Sequence, residues 1–284
     1  MREIQVAHVL THTVQIKTKE KIGEDMVKKP YFMRDKYKWT ERGFLYPINP
    51  NKLHGNIYSY SQFEKTMKVI TSDMKIEDWE YDRHDVAIDF ANSYTDVYKL
   101  NRYLICLASM EHTTKNVMDI RGVRDLKKRS LKLAKRKFDI EIYDKNLESK
   151  GKEPYTRCEF RFKLLDECHH TRLLKLLCNT LERFETHIKE LDKERVEVLY
   201  EKWCEEKTVR KVMSINEFYR KYSDEIFTVE ISRYLYNKIT DTTDKYEQWI
   251  KNYRRYSDIQ FISRKTFRSY IKILTRAVKQ YSKS

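Results

Sequence analysis

The chain has 284 residues, of which 58 are Lys or Arg and 43 are Asp or Glu, so its formal net charge at pH 7 is +15. This length can bury a core, and so large a positive charge favours a polyanionic partner such as nucleic acid, although biased coding DNA also produces Lys-rich chains. No run approaches the ~18 apolar residues of a membrane span, and no signal peptide is recognisable. Five cysteines without a C-x-x-C pair are typical of reduced thiols, so we expect a cytoplasmic protein without a membrane partner.

The first predicted element is a strand over Ile4–Ile16, where apolar residues alternate loosely. His8 and His12 would share one face of this strand but lie far apart. We therefore do not expect them to bind one metal ion together.

The next predicted elements are a hairpin around Trp39–Tyr46 and a helix that begins near Ser61. Ser61 and Glu64 have the spacing of a capping box. A second helix is predicted from Thr95 to about Met110, because its apolar residues recur at helical spacing.

Three further runs alternate as strands do: Arg83–Phe90, Phe138–Tyr143 and Arg157–Lys163. In each run one face is apolar. The opposite face carries carboxylates, cations and one tyrosine, namely Asp85, Asp89, Asp139, Glu141, Tyr143, Arg157, Glu159 and Arg161. If the runs share one antiparallel sheet, its apolar face belongs to the core.

The polar face has the groups that phosphoryl transfer requires. Carboxylates bind hard divalent cations, cations stabilise a phosphate's developing charge, and a tyrosine hydroxyl is a usable nucleophile. An antiparallel sheet with one solvated face would show the same residue types, so both interpretations stay open at this point.

Three short motifs resemble those of the rolling-circle replication initiation factors, a family of plasmid and phage proteins that includes the gene II type proteins of filamentous phages. They are Arg83-His84-Asp85, Tyr143-Asp144-Lys145 followed by Glu148, and Arg157-Cys158-Glu159-Phe160-Arg161. The resemblance covers roughly residues 76–165 and depends on the order of the three motifs.

This resemblance implies that Tyr143 attacks a phosphodiester, giving a 5′-phosphotyrosine and a free 3′-hydroxyl, with Lys145 near the phenolate. It also implies that Arg157 and Arg161 bind the phosphate oxygens. A Mg²⁺ or Mn²⁺ ion would be bound by Asp85 and Glu159, with Asp89 or Glu141 as further ligands. The chain has no H-x-H triplet, so we expect a metal site made of carboxylates only, and no second tyrosine lies at helical spacing from Tyr143.

Two basic regions are candidates for DNA binding. Residues 121–137 include Arg129, Lys132 and Arg136 and precede the strand of Tyr143. The last forty residues carry a net charge of +9 and end in a predicted helix whose outward residues would be Arg264, Lys265, Arg268 and Lys272. Such a helix resembles a recognition helix, but any basic amphipathic helix has the same pattern.

The sequence as a whole predicts an α+β protein. A mainly antiparallel sheet with packed helices would form a catalytic domain at residues 1–205, and an all-α, basic DNA-binding region would occupy residues 206–284. The predicted function is nicking and closing of DNA at a replication origin to start rolling-circle replication, with a host helicase and a homodimer as further partners. A non-catalytic DNA-binding protein of the repressor or partition type, or a mobilisation relaxase, are the alternatives.

Overall fold

The protein is described by a computed structural model that covers residues 3–33, 37–109, 118–119, 130–134, 137–163, 165, 169–189, 193–206, 214–222 and 264–284. Its contacts divide the chain into two compact units. The first consists of Met1–Tyr98, Asp119–Leu177 and Lys272–Ser284, and the second of Lys99–Met118 and Cys178–Ile271. The predicted domain boundary near residue 205 stays a prediction, because residues 207–213 lie outside the described ranges.

The strands form one eight-stranded sheet in the order β2-β3-β1-β4-β8-β7-β6-β5. Their bounds are β1 Val6–Thr18, β2 Lys38–Thr40, β3 Gly43–Ile48, β4 Trp79–Phe90, β5 Met118–Asp119, β6 Ser130–Ala134, β7 Phe138–Asp144 and β8 Thr156–Lys163. The three predicted polar strands, β4, β8 and β7, are neighbours and antiparallel, and the predicted hairpin is β2–β3. The α+β fold is confirmed.

The helices are α1 Glu24–Val27, α2 Asn51–His54, α3 Tyr60–Met74, α4 Tyr94–Ser109, α5 Lys145–Glu148, α6 His169–Lys189, α7 Lys193–Glu206 and α8 Arg264–Lys283, and residues 215–222 are also helical. All the described elements after β8 are therefore helical. In the described part of the chain, no helix combines the length and the hydropathy that crossing a membrane requires.

The cap of α3 differs from the prediction. Ser59, not Ser61, is the N-cap, and its side chain accepts a hydrogen bond from the backbone N–H of Gln62 at 3.2 Å. The Gln62 side chain accepts one from the backbone of Tyr58 at 3.1 Å. The cap therefore lies two residues earlier than predicted, and Gln62 accepts from the residue before the N-cap rather than from the N-cap N–H, as a capping box would require.

The apolar face of the sheet forms the core of the first unit. Val86, Ile88 and Phe90 of β4 are fully buried on it, and so are Phe160 and Cys158 of β8. Beside β1 and β3 a hydrophobic cluster is buried under α3, which contributes Phe63, Met67, Ile70 and Met74. Burial of these faces fixes which side chains of β4, β7 and β8 point the other way.

The opposite face is a grid of polar side chains, because strand register places residues side by side. One transverse row, here called the tyrosine row, contains His8, Asp89, Arg157, Tyr143 and Ser130. The next row contains Leu10, Ala87, Glu159, Glu141 and Lys132. In a third row Asp85 lies beside Arg161, which lies beside Asp139.

A β-bulge in β1 sets the residue that faces Asp85. Thr11 pairs with Val86 and Val14 pairs with His84, so His12 and Thr13 together lie opposite the single residue Asp85.

The bulge is held by one side chain of α2. The amide of Asn51 donates to the carbonyl oxygens of Thr11 at 2.8 Å and His12 at 3.3 Å, and its oxygen accepts from the backbone of Ile57 at 2.8 Å. Asn51 thereby satisfies backbone groups that a bulge leaves without ladder partners.

Candidate active site

The candidate site contains a cluster of one imidazole and two carboxylates, from His12, Asp85 and Glu159. One potential ligand atom from each lies within 4.8 Å of the other two. His12 Nδ1 is 2.6 Å from Glu159 Oε1. We call this group the His–carboxylate cluster. Among the described residues it is the group in which three potential metal-ligating side chains come together.

Two arginines compensate the charge of this cluster. Arg83 donates to both oxygens of Asp85, at 2.9 and 2.8 Å, and Arg161 donates to Oε2 of Glu159 through Nε at 2.8 Å and also through Nη2. Arg161 Nη2 also lies 2.6 Å from Oε2 of Glu141. Three carboxylates therefore face two guanidinium groups and the His12 imidazole.

The two carboxyl groups have opposite pKa shifts. Burial raises the pKa of Asp85 to about 6, and the neighbouring Glu159 adds to this while Arg83 opposes it. Burial also acts to raise the pKa of Glu159, but hydrogen bonding and charge from His12 and Arg161 lower it to about 2. Both groups are ionised at neutral pH.

A divalent cation fits this donor set. Carboxylate oxygens suit Mg²⁺ and Mn²⁺, and an imidazole nitrogen suits the transition metals, so His12 shifts the expected preference towards Mn²⁺. Asp85 and Glu159 are only 2% and 1% exposed, whereas the His12 side chain is 27% exposed and so forms the accessible rim.

Tyr143 lies in the tyrosine row, directly beside Arg157 in register. Burial and then the charge of Glu159 raise the pKa of the Tyr143 phenol well above its ordinary value, while Arg157 opposes the shift by charge and by a hydrogen bond. The phenol is therefore protonated at neutral pH and needs help to become a nucleophile.

Asp89, a predicted metal ligand, and Arg157, predicted to bind phosphate oxygens, form an ion pair with each other. Arg157 donates to both oxygens of Asp89, at 2.7 and 2.9 Å, and both side chains are almost fully buried. Asp89 is thus held by a bidentate ion pair outside the His–carboxylate cluster. Glu141 is likewise engaged by Arg161.

Lys145 lies just beyond the strand that carries Tyr143. β7 ends at Asp144, whose side chain caps α5 by accepting from the Leu147 N–H at 3.0 Å. Lys145 begins this helical turn, and its ammonium group lies 2.6 Å from Glu148 and 3.6 Å from Glu153. The strand ends here because the Asp144 cap diverts the chain.

The predicted DNA-binding residues have separate locations. Arg129 and Arg136 lie outside the described residues. Lys132 is on the polar face of the sheet, with Nζ 3.8 Å from Oδ2 of Asp139. On α8, Lys265, Arg268 and Lys272 are exposed and Arg264 is half-buried, and Arg268 pairs with Glu185 of α6 at 2.7 Å.

His12 is the residue that sequence reasoning missed: the cluster that the structure shows contains an imidazole, whereas the prediction was a metal site made of carboxylates only. His12 meets the carboxylates without His8, because the bulge turns it towards Asp85. Residues on both faces of β1 are buried near the bulge, so its alternation of apolar residues gives no sign of the extra residue.

No protein-family model and no characterised protein sequence matches the chain. Among solved structures, the rolling circle replication initiator protein from Geobacillus stearothermophilus is similar, with 13% sequence identity and a TM-score of 0.29 over 55% of this chain and 74% of that one. A likeness at this level does not establish a family, so the function has to be inferred from the residues of the site.

Proposed function

We propose that the protein nicks one strand of DNA through Tyr143 and so starts rolling-circle replication. The observation that carries this proposal is the adjacency, on one sheet face, of a tyrosine, an arginine that contacts it and a cluster suited to a divalent cation. The three motifs that resemble replication initiation factors supply all of these groups except His12.

In the proposed reaction the Tyr143 oxygen attacks the phosphorus of the scissile phosphodiester. A bond from phosphorus to the tyrosine oxygen forms, and the bond to the 3′ oxygen breaks. The phenol gives up its proton, and the departing 3′ oxygen takes one to become the hydroxyl that primes synthesis. The product is a 5′-phosphotyrosine, whose phosphoester conserves the energy of the broken phosphodiester bond, so that the DNA strand can later be rejoined.

Arg157, Arg161 and Asp89 have different roles in this reaction. Arg157, fixed by Asp89, holds the phenol and favours its anionic form, because a positive charge beside the oxygen lowers its pKa. Arg161 lies at the partly exposed rim, where its guanidinium can bind a non-bridging phosphate oxygen. Asp89 therefore acts as a positioning residue rather than as the metal ligand suggested by the resemblance.

His12, Asp85 and Glu159 would hold Mn²⁺ or Mg²⁺, which when bound neutralises phosphate charge during the transfer. Asp85 and Glu159 have to be ionised for this, as their pKa values allow at neutral pH.

Duplex binding is assigned to α8. Its exposed cations form one stripe at spacings of three or four residues: Lys265, Arg268, Lys272, Arg276, Lys279 and Lys283. The stripe is ~27 Å long at 1.5 Å per residue, and it can follow the phosphates of an origin. A host helicase and a homodimer, the further partners predicted from the sequence, stay predictions.

The stripe also favours a second candidate function, a DNA-binding protein without catalysis, because it does not depend on Tyr143. A mobilisation relaxase would share the chemistry and differ in the DNA site that it nicks.

The test is covalent capture of labelled single-stranded and supercoiled DNA from the protein's own replicon, with Mn²⁺, on a denaturing gel. We expect a protease-sensitive protein–DNA band that Tyr143→Phe and EDTA abolish and that the control Tyr37→Phe, at an exposed tyrosine, retains. Tight DNA binding without a covalent band in the wild type would leave the non-catalytic function, and a band retained by Tyr143→Phe would move the nucleophile elsewhere.

A further inference from the structure

We propose that a pocket beside His8 receives one unpaired nucleobase of the DNA strand that enters the candidate active site. This inference rests on the proposed function for its ligand, and it assigns a binding site that the three motifs do not include.

The pocket lies at an edge of β1. β3 pairs with β1 only from Val14 to Thr18, so β3 leaves the edge of residues 6–10 uncovered. A cavity of about 340 Å³ opens there, lined by Val6, Val9, His8, Tyr58, Gln280 and Tyr281 among others. This volume is in the ~300–1,000 Å³ range of small-ligand sites.

The walls have the chemistry that a nucleobase requires. Tyr58 is 43% exposed, and its ring lies 4.9 Å from the His8 ring at a tilt of 39°, so aromatic surface is available for stacking. Val6 and Val9 supply apolar contact. The Gln280 amide, with donors and an acceptor, can hydrogen-bond a base edge.

The pocket is rigidly built. The Tyr281 hydroxyl lies 2.6 Å from Thr11 Oγ1 and fixes the end of α8 against β1. His8 Nε2 lies 3.2 Å from the hydroxyl of Tyr155, and the rings of these two residues meet edge to face. Little ordering is therefore needed when a base enters.

The same contacts connect the pocket with Tyr143. The Tyr155 carbonyl accepts hydrogen bonds from the backbone N–H groups of Lys145 and Asn146, at 3.0 and 3.2 Å, just after Tyr143 in the chain. His8 and Tyr143 occupy the same transverse row, three strand spacings or ~14 Å apart. That distance spans at most about four nucleotides at ~3.4 Å each, and fewer in an extended strand.

The charge around the pocket suits this ligand. Lys279 and Lys283 are exposed on the last turns of α8, next to the pocket-lining Gln280. A DNA strand with its base in the pocket would have cations beside its backbone, as single-strand binding grooves do.

The experiment uses the full chain with Tyr143→Phe, so that no strand is cut, and a single-stranded oligonucleotide from the protein's own replicon that carries one fluorescent base analogue at successive positions. We expect strong quenching at one position within about four nucleotides of the cleavage position mapped with the wild type. Tyr58→Ala should abolish the quenching and weaken binding about 5- to 150-fold, the range of one stacked base. Tyr58→Trp should restore both.

The matched control is Tyr37→Ala, which removes another exposed tyrosine that lies outside this pocket. If Tyr58→Ala and Tyr37→Ala bind alike and the quenching persists, the base pocket is wrong even when the wild type forms its covalent band. Conversely, loss of quenching in Tyr58→Ala without any covalent band in the wild type would retain the pocket and remove the nicking function.

Discussion

The two faces of the sheet bury ionisable groups in opposite ways. On the polar face Asp85, Asp89, Arg157 and Glu159 are buried as charges, each with a partner of opposite sign on a neighbouring strand or two residues along its own. On the apolar face His84 and His169 are buried, and among the described residues neither has a partner of opposite charge.

The histidines of the apolar face meet mainly aromatic groups. The His84 ring stacks on Phe63 with centroids 4.8 Å apart, and the His169 ring contacts the His84 ring edge-on. His84 Nε2 lies 3.1 Å from Thr11 Oγ1, and within the described residues neither His84 Nδ1 nor His169 Nε2 has a hydrogen-bond partner. Burial is therefore tolerated on one face because charges are paired, and on the other because the rings stay neutral.

The largest expected change comes from breaking a pair on the polar face. Asp89→Asn leaves the Arg157 guanidinium buried beside a neutral amide, and we expect the free energy of unfolding to fall by ~3–5 kcal/mol. Urea unfolding measures it. Asp25→Asn is the control, because the Asp25 side chain is 99% exposed and its pair with Lys28 contributes little. Equal stabilities for the two variants would contradict the role given to the pair.

A second test separates the metal-binding group from the rest of the polar face. His12→Ala removes one donor, and we expect the affinity for Mn²⁺ to fall about 100-fold, or ~2.7 kcal/mol, in a titration calorimeter. His8→Ala, four residues earlier on β1, should leave this affinity unchanged. A loss of Mn²⁺ affinity in His8→Ala but not in His12→Ala would show that the ion binds elsewhere.

The apolar face predicts acid sensitivity. Burial, followed by the neighbouring His170, lowers the pKa of His169 to about 3, and burial followed by His169 and His170 lowers that of His84. The unfolded chain binds these protons near pH 6.5. The contribution of the two neutral histidines to the free energy of unfolding is therefore complete above that pH and is lost as the pH falls towards 3. At pH 5 we expect the free energy of unfolding to be lower by ~2 kcal/mol because of His169 alone.

His169→Leu should therefore reduce the difference in unfolding free energy between pH 7.5 and pH 5, measured by urea unfolding at each pH. The exposed His54 supplies the control His54→Gln, which should keep the wild-type difference. A pH dependence unaltered by His169→Leu would assign the acid sensitivity to other groups.

The smallest effect per residue is expected for charges that are exposed rather than buried. Replacing Lys272, Arg276 and Lys279 of α8 by Gln should reduce the slope of log affinity against log salt for duplex DNA by ~2.7, or ~0.9 for each phosphate that is no longer neutralised. The same triple change at Lys28, Lys52 and Lys68 should not alter the slope. Equal slopes in all three proteins would exclude α8 as the duplex-binding element.

Much of this organisation was predictable because it follows from local rules. Alternation in Arg83–Phe90, Phe138–Tyr143 and Arg157–Lys163 assigned their apolar residues to a core, and burying one face leaves no choice for the other. The cap of the helix at residues 215–222 is equally local: the Ser214 hydroxyl accepts from the Glu217 N–H at 3.3 Å, and the Glu217 carboxylate accepts from the Ser214 N–H at 2.9 Å.

Other features depended on contacts between distant parts of the chain. His12 joins Asp85 and Glu159 only because a bulge, held by Asn51, adds a residue opposite Asp85. Asp89 is placed beside Arg157 by the register of β4 with β8. Alternation specifies the face on which a side chain lies, whereas register and bulges decide which neighbour it meets, and these are set by tertiary packing.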